Sequence, residues 1–159
     1  MPDSLKKQLR VYVDTCVFGG VEDQEFAEPS KKFFDQVNQG YFQILISDIV
    51  RGEILLAPPK VRSIFEEIPI NFIEMVPSEG IVLELAELYI KANAVNTKSR
   101  NDAKHVAAAT VAGADFIISW NFKHIVNAHR IRIFNSVNIR EGFKTLDIRS
   151  PYEVLIYEE

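Results

Sequence analysis

The chain has 159 residues, of which 47% are apolar and 25% are charged, and these values suit one soluble globular domain with a sizeable core. A second full domain, a membrane span and a secretory signal are not expected, because no long apolar run occurs and the first short one is broken by Asp14. The single cysteine, Cys16, excludes an internal disulfide. We therefore expect a cytoplasmic protein.

The first half of the chain alternates short apolar runs with amphipathic stretches. The run from Leu9 to Val13 is rich in β-branched residues and predicts a buried strand that stops at Asp14. A loop is expected over 19–25, followed by an amphipathic helix over 26–38. Further elements are a strand over 41–46, a helix over 48–57 with Ser47 as its cap, a helix over 60–68 and a strand over 72–76.

The second half continues the alternation. Ser78 is predicted to cap a helix that runs to Ala94, and a polar linker over 96–100 leads into an alanine-rich helix. Gly113 marks a turn before a buried strand over 116–119, and a helix over 131–141 and a last strand over 143–148 complete the chain. Strands that alternate with helices predict an α/β fold, in which a mostly parallel sheet is covered by helices on both faces.

Polar residues are predicted to converge on one edge of this sheet. In a parallel sheet the residues that end strands and open the following helices lie together, which applies to Asp14, Asp102 and Asn121. Asp115 begins its strand and so belongs to the opposite edge. Glu53 falls in an apolar stripe that includes Ile49 and Leu56, and a carboxylate in such a stripe requires a partner or a ligand role.

Each acid also has an ordinary structural explanation. Asp14 can close an Asx-turn, Glu53 can form a salt bridge, and Asp102 fits a capping box that begins at Ser99. Two carboxylates brought within about 4 Å repel by roughly 4 kcal/mol at an effective dielectric near 20, whereas a helix cap contributes only ~1 kcal/mol. Three acids at one edge therefore indicate a cation, and hard oxygen ligands suit Mg²⁺ or Mn²⁺ rather than zinc. Magnesium held by carboxylates recruits phosphate oxygens, which points to phosphate-ester chemistry.

The distribution of charge supports a negative polymer as the substrate. The net charge is −4, but residues 98–132 carry six Lys and Arg against two Asp, so this segment is basic. Arg100, Lys104 and Lys123 are the candidates for phosphate contacts, and the alternative is a solvated basic face.

The histidines and aromatic residues of this segment carry weaker signals. His105, His124 and His129 have no consistent ligand spacing, and we interpret them as ordinary helix or loop histidines. Trp120 and Phe122 could stack on a nucleobase, with core packing expected for at least one of them.

At this point the residues resemble those of the PIN-domain nucleases, and within them the VapC-like toxins of bacterial type II toxin–antitoxin systems. The resemblance covers the chain from Val11 to about Glu153 and depends on an ordered set of pieces rather than on any one of them. The pieces are Val-Tyr-Val-Asp14-Thr15, Ser47-Asp48-Ile-Val-Arg-Gly-Glu53-Ile, Asn101-Asp102-Ala-Lys-His105 and Ser119-Trp120-Asn121-Phe122-Lys123-His124.

The resemblance implies a three-layer α/β/α domain whose acidic cluster binds Mg²⁺ or Mn²⁺ and cleaves single-stranded RNA. Asp14, Glu53 and Asp102 match the family's three core acids, whereas Asn121 stands where a fourth acid is common. One negative charge fewer favours a one-metal site or a pair completed by the substrate. The resemblance also implies a homodimer and a cognate antitoxin. We expect residues 1–8 to form a flexible end and residues 9–159 a single PIN-like domain.

The leading hypothesis is a metal-dependent endoribonuclease. Asp14 and Asp102 bind the metal, Glu53 holds the attacking water or acts as its base, and Asn121 orients a water or the phosphate. One rival is a phosphatase with Asp14 as nucleophile, although such enzymes have a second Asp where this chain has Cys16. The other rival is a catalytically weakened module that binds RNA or a protein, and Asn121 is the feature that favours it.

Overall fold

The computed structural model describes residues 8–157, so most of the predicted flexible end, residues 1–7, lies outside the described range together with residues 158–159. Its centre is a sheet of five parallel strands in the order β3-β2-β1-β4-β5. The strands are β1 (Leu9–Val13), β2 (Phe42–Ser47), β3 (Ile73–Val76), β4 (Phe116–Ile118) and β5 (Asp147–Arg149). The predicted parallel sheet is therefore confirmed, and every strand pair in it is parallel.

Eight helices cover the sheet within the described residues. They are α1 (Thr15–Gly19), α2 (Ala27–Asn38), α3 (Asp48–Leu55), α4 (Pro59–Glu66), α5 (Ile81–Lys91), α6 (Arg100–Val111), α7 (Ala128–Arg140) and α8 (Pro151–Val154). Helices α5, α6 and α7 pack together, and the remaining helices pack against one another as a second group. With the sheet between them, these two groups make the three-layer α/β/α arrangement that the resemblance implied.

Burial explains why the central elements form where they do. The side chains of Val11, Val13, Ile117 and Ile118 are fully buried, as the β-branched runs predicted. Helix α6 lies close to the sheet through fully buried alanines, whose short side chains permit a close approach of helix to strand. In the described residues, no helix combines the length and the hydropathy that crossing a bilayer demands.

Several local predictions are wrong at the ends of elements. The predicted loop over 19–25 contains a short 3-10 turn over Gly20–Glu22, and α1, which ends at Gly19, was not predicted. Helix α5 begins only after Gly80, so Ser78 does not cap it. The last strand is shorter than predicted and starts at Asp147, because the chain from Phe143 onwards first packs against α7.

Two corrections concern the candidate acids. The apolar stripe that was expected to bury Glu53 is buried only in part, because Val50 is fully buried and Ile49 partly buried but Leu56 is 90% exposed. Glu53 is therefore half-buried on the side of the helix that faces the sheet edge. The capping box at the start of α6 is also absent, since the Ser99 side chain accepts no capping hydrogen bond.

Candidate active site

The parallel sheet brings the predicted acids to its carboxyl edge. Asp14 directly follows β1, and Ser119 directly follows the neighbouring strand β4. Ser47 ends β2 and caps α3 by accepting from the backbone N–H of Val50, which sets the direction of the helix that carries Glu53. At the opposite edge, Asp115 accepts from the backbone N–H of Arg10 at 2.8 Å, which confirms that it lies away from this group.

Asp14 is a buried carboxylate held by its neighbours. The Ser119 hydroxyl donates to Asp14 Oδ2 at 2.7 Å, and the Cys16 thiol donates to the same oxygen at 3.3 Å. Ser119 also accepts from the backbone N–H of Asn121 at 2.9 Å, so one hydroxyl orients the ends of two functional segments. Burial and the charge of Asp14 raise the pKa of the Cys16 thiol far above its usual value, so Cys16 remains a neutral donor.

His105 joins two of the acids. Its Nε2 lies 3.1 Å from Glu53 Oε1 and 3.7 Å from Asp14 Oδ1, and the side chain is buried in α6 at 2% exposure. On the other side of the ring, Nδ1 is 2.8 Å from the hydroxyl of Tyr12, which is itself 2.7 Å from Ser47 Oγ. A continuous chain of hydrogen bonds therefore runs from the cap of α3 through a buried tyrosine and a histidine to Glu53.

The groups around His105 raise the pKa of its imidazole. Burial by itself lowers the pKa of His105, but the hydrogen bond to Glu53 and the charges of Asp14, Glu53 and Asp102 outweigh it and raise the pKa overall. The hydrogen bond from His105 in turn lowers the pKa of Glu53. Burial raises the pKa of Tyr12 far above its usual value, so its hydroxyl keeps its proton and serves as both donor and acceptor.

Asp102 is held separately by the segment after β4. The Asn121 amide donates to Asp102 Oδ1 at 3.3 Å, and His124 Nδ1 lies 3.2 Å from Asp102 Oδ2. Asn121 also accepts from the backbone N–H of His124 at 2.9 Å, which fixes the orientation of its amide. Burial is the main cause that raises the pKa of Asp102, and the charge of Asp14 adds to it.

Asp14, Glu53 and Asp102 are each held by hydrogen bonds in the structure. In the range 8–157, no three His, Cys, Asp or Glu side chains are grouped so that they could hold a metal ion as they stand. Each predicted acid instead accepts hydrogen bonds, Glu53 also from the Thr15 hydroxyl at 3.2 Å. The donor set is nevertheless made of the hard oxygens that Mg²⁺ and Mn²⁺ prefer. The Glu53 side chain is 41% exposed and therefore reaches solvent at this edge of the sheet.

The predicted nucleic-acid contacts differ in their surroundings. Arg100 forms an ion pair with Glu87 of α5, so part of its charge is already compensated. Lys104 is partly buried on α6, and Lys123 is exposed in the turn that follows Asn121.

Several residues of this site were not identified from the sequence as members of it, among them Thr15 and Cys16, which donate to Glu53 and Asp14. His105 and His124 contact the predicted acids directly, whereas His129 is exposed near the start of α7. Ser119 and Tyr12 position Asp14 and His105. A sequence signal exists for His105, because it follows Asp102 by three positions on one helix and so shares its face. No comparable local signal exists for Tyr12.

The comparisons with known proteins bear on the fold. No protein-family model matches the chain, and no curated protein matches it in sequence. The chain is similar to the solved structure of FitAcB from Neisseria gonorrhoeae, with a TM-score of 0.56 and 13% identity over 91% of this chain and 99% of that one. It is also similar to VapBC2 from Rickettsia felis, which was solved bound to a DNA fragment from their promoter, with a TM-score of 0.53 and 10% identity over 89% of this chain and 98% of that one. The PIN-like three-layer fold is thereby confirmed.

Proposed function

We propose that this protein is a metal-dependent endoribonuclease that hydrolyses phosphodiester bonds of single-stranded RNA. The observation that supports the proposal is that His105 Nε2 lies 3.7 Å from Asp14 Oδ1 and 3.1 Å from Glu53 Oε1 at the carboxyl edge of a parallel sheet, with Asp102 three positions before His105 on α6. Of the three acids only Asp14 is buried, and the basic groups that contact them are His105 and His124; the proposal is that a divalent cation binds the same carboxylates.

The three carboxylates are the groups that would hold Mg²⁺ or Mn²⁺, which when bound supplies positive charge for the phosphate and lowers the pKa of a coordinated water. Asp14 and Asp102 would contact the ion directly, and Glu53 would act through the attacking water. Glu53 would accept the proton of the attacking water, whose oxygen bonds to phosphorus as the phosphodiester P–O bond breaks and the leaving oxygen takes a proton from the solvent. Asn121 orients the phosphate or the water, and its neutral amide favours a single ion.

The basic residues and the partners belong to the same proposal. Arg100, Lys104 and Lys123 contact the phosphates of the RNA. VapBC2 bears the name of the toxin–antitoxin family that the sequence resembles. On that likeness we propose a toxin that forms a homodimer and is blocked by a cognate antitoxin.

The test compares Asp14→Asn with a matched substitution at the other edge of the sheet. Purified wild-type protein and Asp115→Asn are expected to cleave a labelled single-stranded RNA in the presence of Mn²⁺, whereas Asp14→Asn is expected to lose cleavage. Thermal unfolding supplies an independent measurement, because a bound ion stabilises the folded state by RT ln(1 + [L]/Kd). Mn²⁺ should raise the Tm of wild type and Asp115→Asn only. Equal behaviour of all three proteins in both assays would contradict the proposal.

A second candidate is a catalytically weakened module that binds RNA or a protein. Two observations favour it: Asn121 donates a hydrogen bond to Asp102, and no three His, Cys, Asp or Glu side chains of the described residues are grouped so that they could hold an ion. The same Mn²⁺ titration separates it from the nuclease, because a weakened site shows no stabilisation. The phosphatase alternative is weaker, since the Cys16 thiol stands where a second carboxylate is needed and burial keeps it protonated.

A further inference from the structure

Four aromatic rings lie against one another beside the acidic site, and we call them the aromatic platform: Phe26, Trp120, Phe122 and Tyr152. Trp120 is their centre, with its ring stacked on Phe26 at 4.1 Å and meeting Tyr152 edge-on at 5.3 Å and Phe122 at 6.1 Å. Trp120 directly precedes Asn121, whose amide donates to Asp102. The platform is therefore continuous with the proposed active site.

Trp120 is a rigid support rather than a binding surface. It is only 7% exposed, and its indole N–H donates to Ser30 Oγ at 2.9 Å. Gly20 packs tightly against this hydrogen-bonded pair, because a Cβ on it would lie 2.4 Å from Ser30 Oγ and 2.8 Å from the indole nitrogen. The indole thus holds its neighbours in place without reaching solvent.

Two of the rings that Trp120 supports reach solvent. Phe122 is 45% exposed and Tyr152 is 49% exposed, although both pack on the same buried indole. Single exposed apolar residues are common on protein surfaces and need no explanation. Two exposed rings fixed on one support, next to a group of carboxylates, are a more specific arrangement.

We propose that Phe122 and Tyr152 form a stacking site for an unpaired nucleobase of the RNA whose phosphodiester lies at the acidic site. This inference rests on the proposed function. Aromatic side chains bind unpaired bases of any sequence through their π-faces, whereas bases inside a duplex have both faces covered by their neighbours. Lys123 directly follows Phe122 and is exposed, so its ammonium group can contact the phosphate next to the stacked base. A single-stranded nucleic acid offers a flat apolar face and an anion at neighbouring positions, which is the chemistry of this surface.

The chain carries its own reporter for this site, because Trp120 is its single tryptophan. The Asp14→Asn protein, which should bind RNA without cutting it, is titrated with a single-stranded RNA oligomer, with the same oligomer in a duplex, and with a series that carries one abasic position each. The single strand should change the tryptophan fluorescence, and the duplex should not. Loss of the stacked base should weaken binding roughly 5- to 150-fold, the range that stacking energies per base correspond to.

Substitutions of Phe122 and Tyr152 test whether these two rings bind the base. Phe122→Leu and Tyr152→Leu keep an apolar side chain but remove the aromatic face, and each should raise the Kd for single-stranded RNA within the same range. Phe122→Tyr keeps an aromatic face and should therefore bind single-stranded RNA with the affinity of the protein that retains Phe122. Tyr157→Leu is the matched control, because Tyr157 is also exposed but lies against Lys32 and outside the platform. Thermal unfolding establishes that the variants are folded.

The outcomes separate this inference from the proposed nuclease. Equal affinity for intact and abasic strands, or an unchanged Kd in both leucine variants, overturns the stacking site even if the wild type cleaves RNA. RNA that binds with the expected dependence on the rings but is not cut by wild type with Mn²⁺ overturns the nuclease and supports the stacking site. Failure of both the Asp14→Asn protein and the wild type to bind any RNA overturns both.

Discussion

The substitution Tyr12→Phe tests the hydrogen-bonded chain behind the acids. Tyr12 is fully buried in β1, and its hydroxyl joins Ser47 Oγ at 2.7 Å to His105 Nδ1 at 2.8 Å. After its removal Ser47 still accepts from the N–H of Val50, whereas His105 Nδ1 loses its partner. One orphaned buried polar group costs about 1–3 kcal/mol, so we expect the free energy of unfolding to fall by ~2 kcal/mol.

The assay is urea unfolding followed by circular dichroism, with an unchanged slope and a lower midpoint as the expected result. For a domain of this size, a loss of ~2 kcal/mol corresponds to a decrease in Tm of about 4–8 °C. Tyr152→Phe is the control, because it removes the same atom from an exposed ring and should stay within about 0.5 kcal/mol of wild type. If Tyr12→Phe were as stable as Tyr152→Phe, the hydrogen bond from the Tyr12 hydroxyl to His105 would not stabilise the fold, which would refute the prediction.

Three further predictions address the surroundings of the site. Gly20→Ala should destabilise the protein by about 1–3 kcal/mol, because the new methyl collides with the hydrogen-bonded pair of Ser30 and Trp120, and unchanged urea unfolding would contradict the tight contact. Without added divalent ions, burial lowers the pKa of His105 but its carboxylate neighbours raise it overall, so the folded pKa exceeds the unfolded value of 6.5. The free energy of unfolding of wild type relative to His105→Gln should therefore be greatest below pH 6.5 and should decline as the pH rises through the folded pKa. A difference that grows with pH would contradict this prediction. Asn121→Asp adds a carboxylate to the acids, which should lower the Tm without metal and enlarge the Tm increase caused by Mn²⁺, and an increase equal to that of wild type would show that position 121 does not face the ion.

Local pattern was sufficient for most of the fold. The apolar β-branched runs and the amphipathic stretches predicted the sheet and its helices, because the side-chain periods of strands and helices are properties of neighbouring residues. Errors fell at element ends, as at Ser78 and Ser99, where a polar residue in the right position makes no capping bond. Which donor satisfies a helix end depends on how the preceding loop approaches, and the sequence does not specify that approach.

The sequence by itself determined that Asp14 and Asp102 lie at the same edge of the sheet, since parallel strands end on one side whatever their order. Only the tertiary structure decided what surrounds them. Tyr12 and His105 are 93 residues apart, and Trp120 and Ser30 are 90 residues apart, yet each pair shares a buried hydrogen bond. Such contacts arise when packed layers bring distant segments together, so no local period records them, and the contacts of His105 with Asp14 and Glu53 become evident only in the folded chain.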